Sequence, residues 1–341
     1  MPARVSIITV ADAAGVSTAT VSQALRGIGR MSDETRQHVL AVAEQLGYRP
    51  NALAQRFVRQ RADAIGFLLD GEPDQAFHNP FWFEIINGAH AVCAEHDMTL
   101  VLLHPAMVAQ KGGFDVLFQE KRIDGLLFPD TPEHADWRRT AMKSSCPFVA
   151  LGQPQVPSPH NWVDIDNQAA GRFMYHQIAA RGYRRPVFIS GPADIGIGTD
   201  RWRGFQAAAR ASRPGTLGAR LCAAASTTNA ARETTVSALQ AEPDCDVIVT
   251  SHNIIAQGAL QAAQQLGHRV PEDLGLITFD SYPLAAHSDP RVAAVDMDMY
   301  GLGSNAVRVL LEILHRPDGH WPVQHMLHLY RMQDGESLPH R

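Results

Sequence analysis

Hydrophobic and polar positions follow two different patterns along this chain, and the change falls close to residue 62. In residues 8–47, small apolar residues recur at helical spacing between glycines, whereas beyond residue 64 short apolar runs alternate with longer stretches of helical composition. The first pattern predicts short helices, and the second predicts buried strands joined by helices. We therefore expect an all-helical head of residues 1–49, a connecting segment of residues 50–62 and an α/β body of residues 63–341.

Each of the three helices predicted in the head begins behind a hydroxyl residue that can cap it. They are residues 8–14 behind Thr9, residues 18–25 behind Ser17 and residues 33–46 behind Ser32. The first two are joined by a tight turn at Gly15, which is the helix-turn-helix pattern whose second helix enters the DNA major groove. On spacing alone, an ordinary three-helix bundle with a polar surface remains the alternative.

Charge separates the head from the body. The 341 residues carry a net charge of -5, with 45% hydrophobic and 19% charged residues, as in ordinary globular proteins. Residues 1–62 carry +4 and the remainder -9, an asymmetry that points to a nucleic-acid-binding head. The short stretch from Pro50 to an apolar Phe57 suits a helix that orders only in the minor groove. A simple interdomain linker is the alternative for that stretch.

The body pattern predicts two parallel sheets covered by helices on both faces. The predicted strands are residues 65–69, 99–103, 125–128, 148–151, 187–190, 247–250 and 274–279. The predicted helices are residues 81–95, 114–121, 135–143, 201–211 and 254–266. Because ligands of doubly wound sheets bind beyond the carboxyl ends of the strands, the site residues are expected in the loops that follow the strands.

A linked series of residues, most of them in the head, is a more specific signal than the helix spacing alone. It comprises Thr9 to Ser17 (TVADAAGVS), Thr20-Val21-Ser22, Ser32, Thr35-Arg36, Leu46 to Asn51 (LGYRPN) and Ala54. This series strongly resembles the lactose/galactose repressor family of bacterial transcription regulators, and the resemblance continues through the rest of the chain. It implies a helix-turn-helix head on a two-lobed, doubly wound body like that of periplasmic sugar-binding proteins.

Carried over by position, the resemblance implies three sets of DNA contacts. Base contacts fall on Thr18, Ala19 and Gln23, phosphate contacts on Ser17, Thr20, Ser22, Ser32, Tyr48 and Asn51, and minor-groove contacts on Ala54 and Phe57. The family commonly has Arg at position 23 and Leu at position 57. Because Gln prefers adenine and Arg prefers guanine, the operator is expected to differ from the usual half-site at one position.

The resemblance also implies an effector between two lobes. We expect one lobe of residues 63–162 and 291–320 and another of residues 163–290 and 321–341. A carboxylate and a guanidinium facing each other across the cleft would bind vicinal hydroxyls or a ligand carboxylate. The expected effector contacts are Phe81, Trp82, Asp166, Arg201, His252, Asn253, Asp280 and Met297. The alternatives are a salt bridge or helix cap for Arg201 and Asp280, core packing for Trp82, and a structural role for His252.

Several motifs are missing from the sequence. It has no His-Glu-x-x-His pair, nucleophile elbow or phosphate loop, which disfavours an enzyme, and its dispersed Cys93, Cys146, Cys222 and Cys245 are expected to be structural thiols. The absence of a signal peptide and of an apolar span predicts a cytoplasmic protein, associated with the nucleoid when bound to DNA.

The expected partners are a pseudo-palindromic DNA operator, a small effector and a second copy of the chain, with no cofactor and no membrane. A dimer is preferred because no heptad tail follows the body. A cytoplasmic sugar-binding protein without a DNA role and, more remotely, an α/β enzyme are the alternatives. The identity of the effector and the sign of its action remain open.

Overall fold

The computed structural model describes residues 5–25, 27–48, 61–69, 81–130, 135–154, 157–192, 196–212, 220–222, 226–281, 284–316 and 322–341. The chain divides into two compact units, Met1–Ala62 and Asp63–Arg341. Asn51, Ala54 and Phe57, which were predicted to contact DNA, lie outside the described residues. No described helix is long and apolar enough to cross a membrane.

Three helices are described in the first unit, α1 (Ile7–Ala14), α2 (Thr18–Leu25) and α3 (Asp33–Gln45). They pack around a small core in which Val10, Val21 and Val39 are fully buried. The prediction of Thr9 as the first N-cap is wrong, because Ser6 caps α1 and Thr9 is the third residue inside the helix. The Ser6 Oγ accepts from the Thr9 amide at 3.2 Å and the Thr9 Oγ1 accepts from the Ser6 amide, which is a reciprocal capping box.

The other two helices begin where the sequence predicts. The Ser17 Oγ accepts from the Thr20 amide at 3.1 Å, and the Ser32 Oγ accepts from the Thr35 amide at 3.2 Å. Each cap satisfies one of the amides that a helix leaves without a partner in its first turn. The turn between α1 and α2 contains Gly15 at φ +65°, a left-handed conformation that favours glycine.

The described part of the second unit forms two six-stranded sheets. The first has the order β11-β5-β4-β3-β1-β2, and its strands are β1 (Ala64–Leu68), β2 (Thr99–Leu103), β3 (Gly125–Pro129), β4 (Phe148–Leu151), β5 (Trp162–Ile165) and β11 (His325–His328). The second has the order β12-β10-β9-β8-β6-β7, and its strands are β6 (Pro186–Ser190), β7 (Arg220–Cys222), β8 (Val247–Thr250), β9 (Gly275–Phe279), β10 (Ala293–Asp296) and β12 (Arg331–Gln333). Neighbouring strands are parallel except for β10 and β12.

Nine further helices are described in this unit. They are α4 (Phe81–Glu95), α5 (Pro105–Gln110), α6 (Phe114–Gln119), α7 (Ala135–Lys143), α8 (Asn167–Ala180), α9 (Gly196–Ser212), α10 (Thr228–Ala241), α11 (Asn253–Gln265) and α12 (Met299–Leu314). We call the first sheet with α4–α7 and α12 the first lobe, and the second sheet with α8–α11 the second lobe. Helices α4 and α12 pack together in the first lobe, as α8 and α9 do in the second.

The chain crosses between the lobes three times, after β5, after β10 and after β11. The predicted lobe boundaries are therefore wrong at several points. Residues 163–165 and 325–328 belong to the first sheet, and residues 293–296 belong to the second. The reason is that β11 follows α12 and pairs with β5, whereas β10 pairs with β9 before the chain leaves the second lobe. Such pairing depends on long-range hydrogen bonds that a local pattern does not encode.

Paired glycines bring the helices of each lobe into backbone contact. A Cβ at Gly171 or Gly204 would overlap the carbonyl oxygen of Arg201 or Gln168 respectively, across the α8–α9 contact. In the first lobe, a Cβ at Gly88 or Gly303 would overlap a carbonyl across the α4–α12 contact in the same way. Close contacts between glycines and backbone carbonyls therefore set the helix spacing in both lobes.

We expect Gly204→Ala to destabilise the body. The added methyl overlaps backbone that cannot rotate away, and overpacking of this kind costs about 1–3 kcal/mol. The better helix propensity of alanine, about 1 kcal/mol, offsets part of that cost. The measurement is urea unfolding of the wild type and the variant. Ala207→Ser, at an exposed position of the same helix, is the control, and equal midpoints for the two variants would show that α8 and α9 separate freely.

Candidate functional site

Arg201 lies at the centre of a buried polar cluster. It is on α9 and is 2% exposed. Its Nε donates to the Asn167 Oδ1 at 3.0 Å, and its Nη1 donates to the Ser251 carbonyl at 2.5 Å and to the Asp280 Oδ2 at 3.3 Å. These partners lie at the start of α8 and beyond the carboxyl ends of β8 and β9. The guanidinium therefore joins three elements at one edge of the second lobe.

Asp280 is the counter-ion of this cluster. It is 6% exposed, and its burial raises the pKa of the carboxyl group while the Arg201 charge opposes that rise. The Oδ1 atom has no hydrogen-bond partner among the described residues. The residue has φ +65°, a left-handed conformation that Asp tolerates better than most residues. Its amide donates to the Val295 carbonyl at 3.0 Å, which fixes the turn after β9.

The face of the Arg201 guanidinium is covered as well. Its central carbon lies 4.6 Å from the centroid of the Phe279 ring. A cation over an aromatic face is attracted by the ring quadrupole, and the ring keeps water from that side. Arg201 is therefore held by a carboxylate, a carbonyl, an amide oxygen and an aromatic face together.

Ser251 and His252 follow β8 and extend the cluster. The Ser251 Oγ accepts from the Gly191 amide at 3.2 Å and lies 2.9 Å from the His252 Nδ1. The dense protein around the ring and the Arg201 charge lower the pKa of His252 to about 3. The ring is therefore neutral at physiological pH, and the Ser251 hydroxyl can donate to its Nδ1. The contact between His252 and Ser251 agrees with a structural role for the ring, and a contact of His252 with an effector stays a prediction.

Arg201 and Asp280 were predicted to face each other across the cleft, and this is wrong. Both belong to the second lobe, where they form a salt bridge with each other. The salt-bridge alternative is therefore the one that the structure supports. Asp280 lies directly beyond β9, as predicted, whereas Arg201 lies within α9, and their pairing depends on the approach of α9 to the second sheet.

Core packing accounts for two other predicted contacts. Trp82 is 9% exposed and packs edge-on against Phe67, with ring centroids 6.2 Å apart. Met297 is fully buried in the same cluster. Neither side chain forms an exposed wall for a ligand ring in this structure. The side chain of Phe81 lies outside the described part of the chain.

The remaining predicted residues begin helices of the second lobe. Asp166 is the N-cap of α8, where its Oδ1 accepts from the Ala169 amide at 2.7 Å. Asn253 is the first residue of α11 and is 3% exposed. The prediction missed Asn167 and Ser251, which bind Arg201 directly. Both stand within two positions of a strand end, so the same rule that selected Asp280 applies to them.

Polar side-chain contacts link the chain segments that make the second and third crossings. The His328 Nε2 at the end of β11 lies 2.9 Å from the Asp298 Oδ2 at the start of α12. The Arg331 Nη2 at the start of β12 donates to the Asp296 Oδ2 at 3.1 Å. The segments that leave β10 and β11 are therefore tied to each other by polar contacts.

On the head, the residues predicted to contact bases lie away from its core. Thr18 and Ala19 are exposed and Gln23 is partly exposed, whereas Val21 and Ala24 of the same helix are buried. This leaves one face of α2 available for contacts outside the head. Ser17, Thr20 and Ser32 take part in capping, and Tyr48 packs partly against the core. The DNA contacts of all these residues stay predictions.

Metal or thiol chemistry finds no support in the described residues. They contain no group of three or more His, Cys, Asp or Glu side chains arranged to hold a metal ion. Burial raises the pKa of Cys93 to about 11 and that of Cys146 and Cys245 to about 12. These thiols therefore stay protonated, as expected of structural cysteines. The side chain of Cys222 lies outside the described part.

The low pKa of His252 predicts a pH dependence of stability. In the unfolded chain the ring has a pKa of 6.5, so acidification protonates the unfolded state first and stability is lost progressively from pH 6.5 towards pH 3. After allowance for the partly exposed ring, we expect His252 to account for about 1 kcal/mol of the loss between pH 7 and pH 5.

The measurement is urea unfolding at both pH values. His252→Asn is expected to reduce the pH dependence by that amount, whereas the exposed His340→Asn should follow the wild type. An unchanged pH dependence in His252→Asn would contradict the lowered pKa of the His252 ring.

Comparison with known proteins matches both units. The model of bacterial regulatory proteins of the lacI family matches residues 6–51, and that of the periplasmic binding protein-like domain matches residues 175–338. The transcriptional repressor CytR of Escherichia coli K12 is 30% identical over 308 residues, which cover 89% of this chain and 88% of the relative.

Two solved structures share the fold along nearly the whole chain. The lac repressor dimer bound to operator and the anti-inducer ONPF has a TM-score of 0.82 at 18% identity, covering 98% of this chain and 99% of that one. The complex of the regulator CelR with cellobiose has a TM-score of 0.70 at 24% identity, covering 98% and 100%. The chain therefore belongs to the lacI family of bacterial DNA-binding transcriptional regulators.

Proposed function

We propose that this regulator acts as a homodimeric repressor whose affinity for a pseudo-palindromic operator is controlled by a small effector, a sugar or sugar derivative, bound between the lobes. The observation that carries the proposal is the Arg201 cluster, which lies at the carboxyl ends of the second-lobe strands and beside the first crossing. Parallel sheets bind their ligands at that end. A ligand there contacts the elements that set the relation between the lobes.

Contacts of the Arg201 cluster connect a ligand bound there to the chain segments that cross between the lobes. Arg201 binds Asn167, which is two residues beyond the end of β5 and therefore lies on the first crossing. On another side, the negative charge of Asp296 acts on Asp280, and Asp296 in turn pairs with Arg331 beyond the third crossing. A ligand that displaces Arg201 or Asp280 would change contacts at both crossings. Such a shift biases the arrangement of the lobes, and through it the head.

Dimerisation follows from the size of the recognition helix. Helix α2 has only eight residues and presents few side chains for base contacts. Two heads on a pseudo-palindrome double those contacts, which is how helix-turn-helix regulators reach useful affinity. The lac repressor structure described above is a dimer bound to operator, which supports this arrangement.

The rival functions make different predictions. A sugar-binding protein without a DNA role would show no salt-dependent binding to duplex DNA, whereas phosphate contacts from the head weaken steeply as salt rises. An α/β enzyme would turn over its ligand. The proposal involves no catalytic step, and the complex of CelR with cellobiose supports a bound sugar rather than a substrate.

We expect Gln23→Arg to change the base preference of the operator. Selection of bound duplexes from a random pool, followed by sequencing, should give pseudo-palindromes for the wild type. In the variant, one position of each half-site should change from adenine to guanine, with discrimination of about 1–3 kcal/mol. Gln45→Arg adds the same charge to an exposed position at the end of α3 and should leave the base preference unchanged.

Two results would count against the proposal. Absence of any enriched sequence would contradict an operator-binding function. An unchanged preference in Gln23→Arg would remove Gln23 from base readout without affecting the rest of the proposal.

If an effector controls operator affinity, we expect the Arg201–Asn167 contact to transmit the effect of effector binding to operator binding. Metabolites retained by the purified protein from a bacterial extract, identified by mass spectrometry, are added singly to the operator complex. Coupling of about 1–3 kcal/mol is expected, a change of 5- to 150-fold in operator affinity. In Asn167→Ala, the ratio of operator affinities with and without the metabolite should fall towards one. Gln168→Ala, which removes an exposed contact to Asp200, should retain the wild-type ratio. No retained metabolite with an effect on operator affinity would contradict effector control.

A further inference from the structure

Gln23, which is predicted to contact a base, lies against the loop that follows α2. A Cβ built on Gly29 would lie 2.6 Å from the Gln23 Oε1 atom, 2.8 Å from its Cδ atom and 3.2 Å from its Cγ atom. The end of the Gln23 side chain therefore runs along the backbone of Gly29, closer than a residue with a Cβ allows. The missing side chain at Gly29 is what makes this conformation of Gln23 possible.

The C-terminal cap of α2 fixes the loop beside Gln23. The Gly27 amide donates to the Ala24 carbonyl at 3.1 Å. The Ile28 amide donates to the Gln23 carbonyl, also at 3.1 Å. These are the two hydrogen bonds of a Schellman cap, in which a left-handed residue turns the chain back over the last turn of the helix. Gly27 at φ +67° and Gly29 at φ +87° both have that conformation, so the backbone of the loop is held close to the helix turn that carries Gln23.

The close contact of Gly29 is with the flexible end of a side chain, in contrast to the glycine contacts of the body. A Cβ at Gly204 would meet a backbone carbonyl, which cannot move aside. At Gly29, the three nearest atoms all belong to the Gln23 side chain. Because Gln23 is partly exposed and Gly29 is exposed, that side chain can change to another conformer. A substitution at Gly29 therefore displaces Gln23 rather than disrupting the core of the head.

Conformational entropy connects this contact to base readout. A glutamine side chain has several rotatable bonds, and fixing it on a base removes much of its rotamer freedom. A contact that restricts the side chain before binding reduces the entropy lost on binding. The pairing of glutamine with adenine is bidentate, so it depends on the orientation of the amide group as well as on its reach.

We infer that Gly29 is a positioning residue for base readout, because it leaves room for the Gln23 side chain and thereby orders the Gln23 amide before it contacts an adenine. Gly29 acts through Gln23 and needs no contact with a base. The inference rests on the proposed function, since it explains how one predicted base contact of the operator complex is prepared.

Gly29→Ala and Gly27→Ala test the inference in the full-length protein. Both place a methyl group at a left-handed position of the same cap, but a Cβ at Gly27 would lie 3.8 Å from the end of the Arg36 side chain, an ordinary contact. Operators are selected from a random pool, and affinities are then measured for duplexes that differ at one position of each half-site. In Gly29→Ala, the preference for adenine at the position read by Gln23 should fall about 2- to 10-fold. The other positions, and every position in Gly27→Ala, should keep the wild-type preference.

A double-mutant cycle separates positioning from a structural effect. If Gly29 acts through Gln23, the loss of affinity for the adenine operator that Gly29→Ala causes should disappear in a protein that already carries Gln23→Ala. Gly29→Asn and Gly27→Asn repeat the comparison with a residue that tolerates the left-handed conformation, so the test stays decisive where an alanine variant does not fold. Unfolding midpoints verify that each variant is folded.

The outcomes separate this inference from the proposed function. An adenine preference that Gly29→Ala does not reduce, or that Gly27→Ala reduces equally, overturns the inference and leaves operator binding intact. A loss that is spread over every operator position, or that persists beside Gln23→Ala, does the same. Selection of no operator by the wild type overturns the proposed function and the inference with it.

Discussion

The buried ion pair between Arg201 and Asp280 is the interaction on which the rest of the candidate site depends. Burying two charges is favourable only when geometry and additional hydrogen bonds offset their loss of water, and removal of one partner typically costs about 3–5 kcal/mol. Here Asn167, the Ser251 carbonyl and the Phe279 ring complete the surroundings of Arg201. The pair therefore fixes the end of β9, the loop after β8 and the start of α8 in one arrangement. Any ligand that competes for these groups acts on all three elements.

The connections between the lobes extend the effect of this local arrangement to the whole body. Three crossings join the lobes, and the Arg201 cluster contacts the first directly and the second electrostatically. The glycine contacts between α8 and α9 place the Arg201 carbonyl against Gly171, so the helix that carries Arg201 has little freedom to move away from α8. Domains joined by a few crossings commonly respond to a ligand by moving as bodies about those crossings, and under the proposed function such a movement would transmit coupling between distant sites.

The sequence pattern predicted strands with a continuous apolar run better than strands without one. Strands β2, β4 and β8 have the predicted bounds because the apolar run of each is visible locally, although β2 lies at the edge of its sheet and is only partly buried. The pattern missed β5, β7, β10 and β12, in which polar or charged residues interrupt or shorten the apolar run, and the resemblance placed β11, within residues 321–341, in the wrong lobe. Asp280 was identified by its position after a strand and Arg201 through the family resemblance, and their salt bridge was only the alternative interpretation. Trp82, at the start of α4, and Met297, just beyond β10, show the opposite failure, since an apolar residue at either position serves equally well as core.

Net charge is divided unequally between the two units. A ligand site lined with acidic residues and neutral polar groups would weaken DNA binding if it shared a surface with the phosphate contacts. Confining the net charge of +4 to the first 62 residues separates the two chemistries along the chain. Under the proposed function, the body binds the effector while the head contacts the operator, so the coupling between them travels through the arrangement of the lobes rather than through direct electrostatic contact with the ligand.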